Sequence, residues 1–202
     1  MNTYIEEVNK TMDEVKKNWR LTQGFLRHIE VHAAQLRTKA EISPSDKLDP
    51  RGLAKQFNLK IVYPKDVKKL SNIDLSELEE LDPKIWSGMS GVLPSGELLV
   101  ILNPKQTPQR ETVTLMEEIC HVHYKHKYAI LNDIERTYDA DAEREAYWTA
   151  GAALLPSKEV GLAVWNKMPI EKLAKKFGAS VELAQMRIKT LRLWERYQGS
   201  LI

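Results

Sequence analysis

Arg110 to His126, RETVTLMEEICHVHYKH, is the stretch that decides how this chain is read. A helix is expected from Thr112 to Lys127. Within it, Glu117-Glu118-Ile119-Cys120-His121 has the form of an H-E-x-x-H element whose first histidine is replaced by glutamate. In H-E-x-x-H two metal ligands four residues apart share one helix face, and the glutamate after the first serves as general base. Glu117 and His121 keep that spacing, so their side chains project side by side. Glu118 lies about 100° further round the helix, near enough to act on a water beside the ligands. A catalytic site of this kind needs one more protein ligand. The run Glu143-Arg144-Glu145-Ala146, on the next expected helix, offers carboxylates for it.

Upstream of this helix, Trp86 to Val92 and Leu98 to Asn103 are expected to pair as a hairpin around Pro94-Ser95-Gly96, with Asn103-Pro104 ending the sheet. Lys60 to Tyr63 reads as a strand ended by Pro64. A short helix, Arg51 to Phe57, precedes it, capped by Asp49 and opened by Pro50. Residues 65–84 are polar with irregularly spaced leucines, and a surface excursion is expected there. Residues 3–40 carry apolar positions at heptad spacing. Ile5, Met12, Trp19, Leu26 and Ala33 form one row, and Val8, Val15, Ile29 and Leu36 the other. This predicts a long amphipathic helix or helix pair with Gly24 as a candidate kink, either docked on its own domain or pairing two chains as a dimer.

Downstream, a helix from Ala140 to Leu155 is stopped by Pro156. Ile170 to Ser180, followed by Leu183, Met186 and Ile188, reads as helix, tight turn, helix, with Gly178 ending the first and Ser180 capping the second. That is helix-turn-helix spacing, and its second helix would present Glu182, Gln185, Arg187 and Lys189. The order of helices, a small sheet, then helices indicates the α+β class. Three segments are expected: an N-terminal helical segment, 1–42; a central domain, 43–165; and a C-terminal helical segment, 166–202, packed on that domain.

A formal charge of +2 argues against nucleic acid as the partner. The longest apolar run, Leu98 to Leu102, is far too short to cross a bilayer. Met1 to Arg20 is charged throughout and lacks a secretory apolar core. The single Cys120 cannot form an internal disulfide, which suits a reducing compartment, and a cytoplasmic protein is expected. Cys120 itself reads as a small buried helix residue. His123 points to another face than His121, and His126 falls at the helix end, where carbonyl capping or the helix dipole accounts for it.

RETVTLMEEICHVHYKH at 110–126, followed by EREAYWTAGAALLP at 143–156, resembles the ImmA/IrrE family of bacterial and phage metallopeptidases. The pattern there is an Arg, then T-L-x-H-E-x-x-H, then E-x-E-A, small residues, two leucines and a proline. The upstream LDPRGLAKQFNLKIVYP, residues 48–64, is also similar to the family's lead-in, so the resemblance covers roughly residues 48–190. It implies a zincin-like domain with a helix-turn-helix-like tail. It further implies Glu118 as general base, His121 and Glu145 as metal ligands, and Glu117 in the place of the first histidine ligand. Zn²⁺ is the expected metal and Mn²⁺ the alternative, because oxygen-rich ligation favours harder ions. A Glu-His-Glu set places two negative charges on the ion where His-His-Glu places one, so water there should be less acidic than at an ordinary catalytic zinc. The expected activity is metal-dependent cleavage of a regulatory protein such as a helix-turn-helix repressor. The alternative is a weak or inactive relative that works as a protein-binding or regulatory module, DNA binding being one form of it.

Overall fold

The computed structural model describes residues 22–70, 73–126, 129–130 and 139–199. The heptad positions Ile5, Val8, Met12, Val15 and Trp19 therefore lie outside the described residues. Helices α1 (Gln23–Lys39), α2 (Pro50–Gln56), α3 (Pro64–Leu70), α4 (Pro108–Tyr124), α5 (Ala140–Leu154), α6 (Ser157–Trp165), α7 (Ile170–Phe177), α8 (Val181–Thr190) and α9 (Trp194–Gly199) accompany a mixed sheet. Its strands are β1 (Lys60–Val62), β2 (Gly88–Val92), β3 (Leu98–Leu102) and β4 (Ala129–Ile130), in the spatial order β1-β3-β2-β4. The α+β class expected from the order of elements is what forms. The described residues divide into two compact units, one within 50–146 and the other formed by residues 22–49 with 147–199.

In the first unit the sheet is built on β3. Its unbroken Leu-Leu-Val-Ile-Leu run is that of a strand covered on both faces, and Leu99, Val100, Ile101 and Leu102 are all fully buried. The expected hairpin joins it to β2 in antiparallel register, Ser90 opposite Val100, while β1 pairs with β3 in parallel and β4 with β2 in parallel. Gly96, at φ 85°, closes the hairpin turn in a conformation that favours glycine. On one face Leu99 and Ile101 pack with Val62, Val67 and Leu93. Val67 belongs to α3, inside the segment expected to be a surface excursion. Pro64 opens that helix, and Val67 and Leu70, three apart, share its buried side, so the leucines looked irregular only because the helix is short.

The other face carries α4. Thr107 caps it, accepting from the Arg110 amide at 3.3 Å, and Pro108 occupies the first turn, so the helix starts four residues before the expected Thr112. Buried Asn103 fixes the approach: its side-chain amide donates to the carbonyls of Leu81 (3.0 Å) and Trp86 (2.9 Å), and its oxygen accepts from the Lys105 amide (2.8 Å). Gln106 donates to the Ser87 carbonyl at 2.7 Å and accepts from the Thr114 hydroxyl at 2.8 Å. Gly88 then lets α4 lie close on β2. A Cβ there would sit 2.7 Å from Thr114 Cγ2 and 3.1 Å from the Ile101 carbonyl oxygen.

In the second unit, Thr22 caps α1 by accepting from the Phe25 amide at 3.1 Å. Gly24 therefore falls in the helix's first turn and makes no kink among the described residues. The heptad rows hold over this helix, with Ile29, Ala33 and Leu36 buried. Two buried guanidinium groups take carbonyls at the end of α5, where a helix leaves its last acceptors without amide partners. Arg37 donates to Ala153 (2.7 Å) and to Ser43 (2.6 Å), and Arg187 donates to Leu155 (3.0 Å) and to the Glu30 carboxylate. Burial pulls both arginines below their ordinary pKa, against the raising effect of Asp46 on Arg37 and of Glu30 on Arg187. The helix, tight turn, helix order of α7 and α8 is as expected. Gly178 sits in the left-handed region at φ 65°, and Ser180 accepts from the Leu183 amide at 3.1 Å. Arg187 is a correction: expected among the residues that α8 presents outward, it is fully buried, with Nε and Nη2 bonded inside the unit.

Two stability outcomes follow from this packing. Gly88→Ala should cost about 2 kcal/mol through overpacking between β2 and α4, read as a shift in urea midpoint with unchanged slope. Arg187→Ala should cost about 3 kcal/mol, because it strands buried partners. The same variant should leave duplex DNA binding in a mobility-shift titration as weak as before, and a selective loss of DNA binding without loss of stability would show the arginine to be a contact residue.

Candidate metal centre

The motif residues lie on the buried side of α4. Ile119 and Cys120 are fully buried, Glu118 is 6% exposed and His121 4% exposed, while Glu117 is partly buried. Burial raises the Cys120 thiol well above its ordinary pKa, and the negative charges of Glu117, Glu118 and Glu145 raise it further. Three carboxylates thus stand within electrostatic reach of one sulfur. One oxygen of Glu118, Oε2, is buried without a hydrogen-bond partner. Buried polar atoms are normally satisfied, so such an atom calls for an explanation, and a bound ligand is one.

The end of α4 sets the rest of the geometry. Lys125 turns into the left-handed region at φ 59°, its amide donates to the Val122 carbonyl at 3.1 Å, and the His126 amide donates to the His121 carbonyl at 3.0 Å. This is the Schellman arrangement, which reverses the chain over the helix's last turn. His126 is thereby folded back against His121, with ring centroids 5.0 Å apart and the two Nδ1 atoms at 3.0 Å. Tyr124 stacks on the other side of His126 at 12°. From α5, Glu145 Oε2 lies 3.0 Å from His126 Nε2, and Glu143 Oε2 lies 3.5 Å from His121 Nε2. Arg144, between them, pairs with Asp141 at 3.3 Å. Burial holds His126 below the usual histidine pKa; the Glu145 hydrogen bond opposes this and the neighbouring His121 adds to it.

Glu118, His121, Glu143 and Glu145 are therefore brought to one region. Glu145, expected from the resemblance as a ligand, is in contact with His126, and Glu143 Oε2 stands 3.5 Å from His121 Nε2. His123 points elsewhere, as expected, and meets Phe57 edge-on at 6.3 Å. The role of His126 was missed. Five residues beyond His121, it returns to the same face only because Lys125 is left-handed, and a lysine gives no sequence cue for that conformation.

The His121–Glu143 pair alone does not make a metal site, but its spacing is one that two donors to a shared ion would take. The 3.5 Å between His121 Nε2 and Glu143 Oε2 is long for a charge-assisted hydrogen bond, usually about 2.7–2.9 Å. It is close to the ~3.3 Å that separates two donors sharing one tetrahedral ion at about 2.0–2.1 Å each. His121 also has its other ring nitrogen engaged, as metal-bound histidines do. Among the described residues, no group of three His, Cys, Asp or Glu side chains is arranged to hold an ion.

A family match accompanies this geometry. Residues 85–189 match the IrrE N-terminal-like domain of peptidase family M78. That is more than half of the 202 residues, and the chain belongs to this family. Among solved structures, a Mycobacterium tuberculosis transcriptional regulator is similar, at 15% identity and a TM-score of 0.52, over 91% of this chain and 51% of that one. The chain thus spans about half the length of that regulator, and the likeness is one of fold. No curated protein sequence matches the chain.

Cys120 offers a direct check on how closed this region is. It should resist alkylation by iodoacetamide at pH 8 in the native protein and react fully in guanidinium chloride, since only the thiolate attacks and burial disfavours it. Native labelling at the denatured rate, followed by intact mass, would contradict the closed packing of α4.

Proposed function

We propose that this chain is a regulatory metallopeptidase of the IrrE type whose ion is held by His121 and Glu143, with Glu117 one turn earlier on the same helix face. The observation that carries the reading is the buried, unpartnered Oε2 of Glu118 in the turn of His121, whose Nε2 faces Glu143. Membership of the M78 family and the fold likeness to a transcriptional regulator support a regulatory role. The substrate class is a regulatory protein such as a helix-turn-helix repressor, in a zincin-like frame, and α7 and α8 serve as packing elements of the second unit rather than as a DNA reader.

The ion, Zn²⁺ first and Mn²⁺ second, supplies Lewis acidity toward a peptide carbonyl and toward water when bound. Glu118 takes the proton of the attacking water and returns it to the leaving amine. Burial of Glu118 keeps other donors from occupying its Oε2, so the oxygen is available for that transfer. Glu117 works against the reaction. As a carboxylate it adds negative charge where a histidine would add none, which blunts the acidifying effect on water. Native activity should therefore be weak.

The test is cleavage of a candidate repressor in the presence of Zn²⁺ or Mn²⁺, read by mass spectrometry. Glu117→His should raise the rate, and Glu118→Gln in that background should lower it about 10²- to 10⁴-fold while sparing folding and metal content. His121→Ala should lose the ion. Robust native cleavage that Glu117→His abolishes would overturn the charge argument and make the carboxylate an adapted ligand. Absence of bound ion together with absence of cleavage in every variant would leave a protein-binding module as the function.

A further inference from the structure

We propose that the outward stripe of α6, formed by Lys158, Leu162 and Trp165 with Arg196 of α9 stacked on the tryptophan ring, is a docking surface for an acidic, leucine-bearing segment of a partner protein. The proposal concerns the second unit alone and stands whether or not the first unit holds an ion.

The apolar part of the surface is the first observation. One side of α6 buries Val160, Ala163 and Val164. Leu162 and Trp165, three apart and so neighbours on the helix surface, are 46% and 66% exposed. Among the described residues only Val31 is a further large apolar side chain left so open. Single exposed hydrophobics are ordinary, whereas adjacent ones mark interaction sites. A Cβ on Gly161, between them in sequence with Lys158, would meet nothing within 4 Å, so a partner's backbone can approach the stripe closely. The Arg196 guanidinium lies 4.1 Å from the centroid of the Trp165 ring. A ring held in this way has less freedom to lose on binding, and tryptophan is among the commonest anchors of protein interfaces.

Charge selects the partner. The one acidic residue of α6, Glu159, is taken by Lys176 at 2.8 Å. Lys158, four residues before Leu162 and seven before Trp165, is exposed on their stripe, and Lys167 is exposed two residues past the tryptophan. Residues 157–199 hold nine Lys and Arg against four Glu, so the chain's formal charge of +2 conceals a basic end. A second copy docked on this face would set Lys158, Lys167 and Arg196 against like charges. A nucleic acid would find cations and a stacking ring, but Leu162 offers it neither a phosphate contact nor a stacking face. An acidic segment with apolar side chains uses every part of the surface.

The experiment is fluorescence anisotropy on the full chain with a fluorescein-labelled peptide of about 18 residues, leucines on one helical face and glutamates on the other. The native chain should bind it with a Kd below about 1 mM, more weakly as salt rises, and should bind a version with lysine in place of glutamate about tenfold less well. Trp165→Ala and Leu162→Ser should each weaken binding about tenfold while leaving the urea midpoint unchanged, since both side chains are exposed. Trp165→Phe should keep most of the affinity, and Lys158→Glu should weaken binding severalfold and flatten its salt dependence. No native binding tighter than about 1 mM, equal binding by Trp165→Ala, or equal binding of the lysine peptide overturns the proposal. A dimer in sedimentation velocity that Trp165→Ala abolishes would make a second copy the occupant and also overturns it. So does a single-stranded oligonucleotide complex that depends on Trp165 while the acidic peptide does not bind.

Discussion

A single backbone conformation, the left-handed Lys125 at the end of α4, decides which side chains meet at the motif. An ordinary helix end would send His126 away from His121. The Schellman turn brings it back over the last turn instead, and the amide of His126 is tied to the carbonyl of the very residue whose ring it touches. That conformation costs a lysine about 1 kcal/mol relative to glycine. It persists because the returning ring is stacked on Tyr124 and held by Glu145. The backbone strain and the side-chain contacts are thus one arrangement, in which each makes the other tenable.

Glu143 and Glu145 sit in the opening turns of α5, and the other end of that helix is held by a different device. Its last carbonyls are taken by Arg37 and Arg187, two buried cations where a helix C-terminus favours positive charge. Burying guanidinium groups is costly unless their donors are satisfied. Here most of them are, by backbone oxygens and by Glu30. Arg187 therefore serves the core of its unit, fully buried, with Nε on the Leu155 carbonyl and Nη2 on Glu30.

How much of this was legible in the sequence depends on the range of the forces involved. The hairpin, the buried run of β3, the proline-opened α2 and the Gly178–Ser180 turn follow from local chemistry, and they formed where the residues placed them. The α3 helix was hidden because two buried positions three apart give too short a pattern to stand out. The candidate site was legible along α4, where i, i+4 spacing is a property of the helix itself. It was not legible across the gap to α5. Residues 143 and 145 differ by about 200° of helix rotation, so which of them faces His121 is set by tertiary packing. Lys125 and Arg187 failed for one reason: each is a charged residue doing a job, backbone reversal or carbonyl capping, that its own chemistry does not announce.

The same geometry bears on why Glu117 is tolerated. On the proposed reading, a histidine there would bring a second neutral donor to the ion and leave Glu143 as its lone charged one. A glutamate brings a second negative charge into a region that already holds Glu118, Glu143 and Glu145, and an arrangement with four acidic side chains and no cation would repel itself. Glu145 is in contact with His126, and Arg144 with Asp141. On the metallopeptidase reading proposed above, a divalent ion would neutralise the charge that these carboxylates gather, and the substitution that weakens acid–base chemistry on water would strengthen the demand for the ion itself.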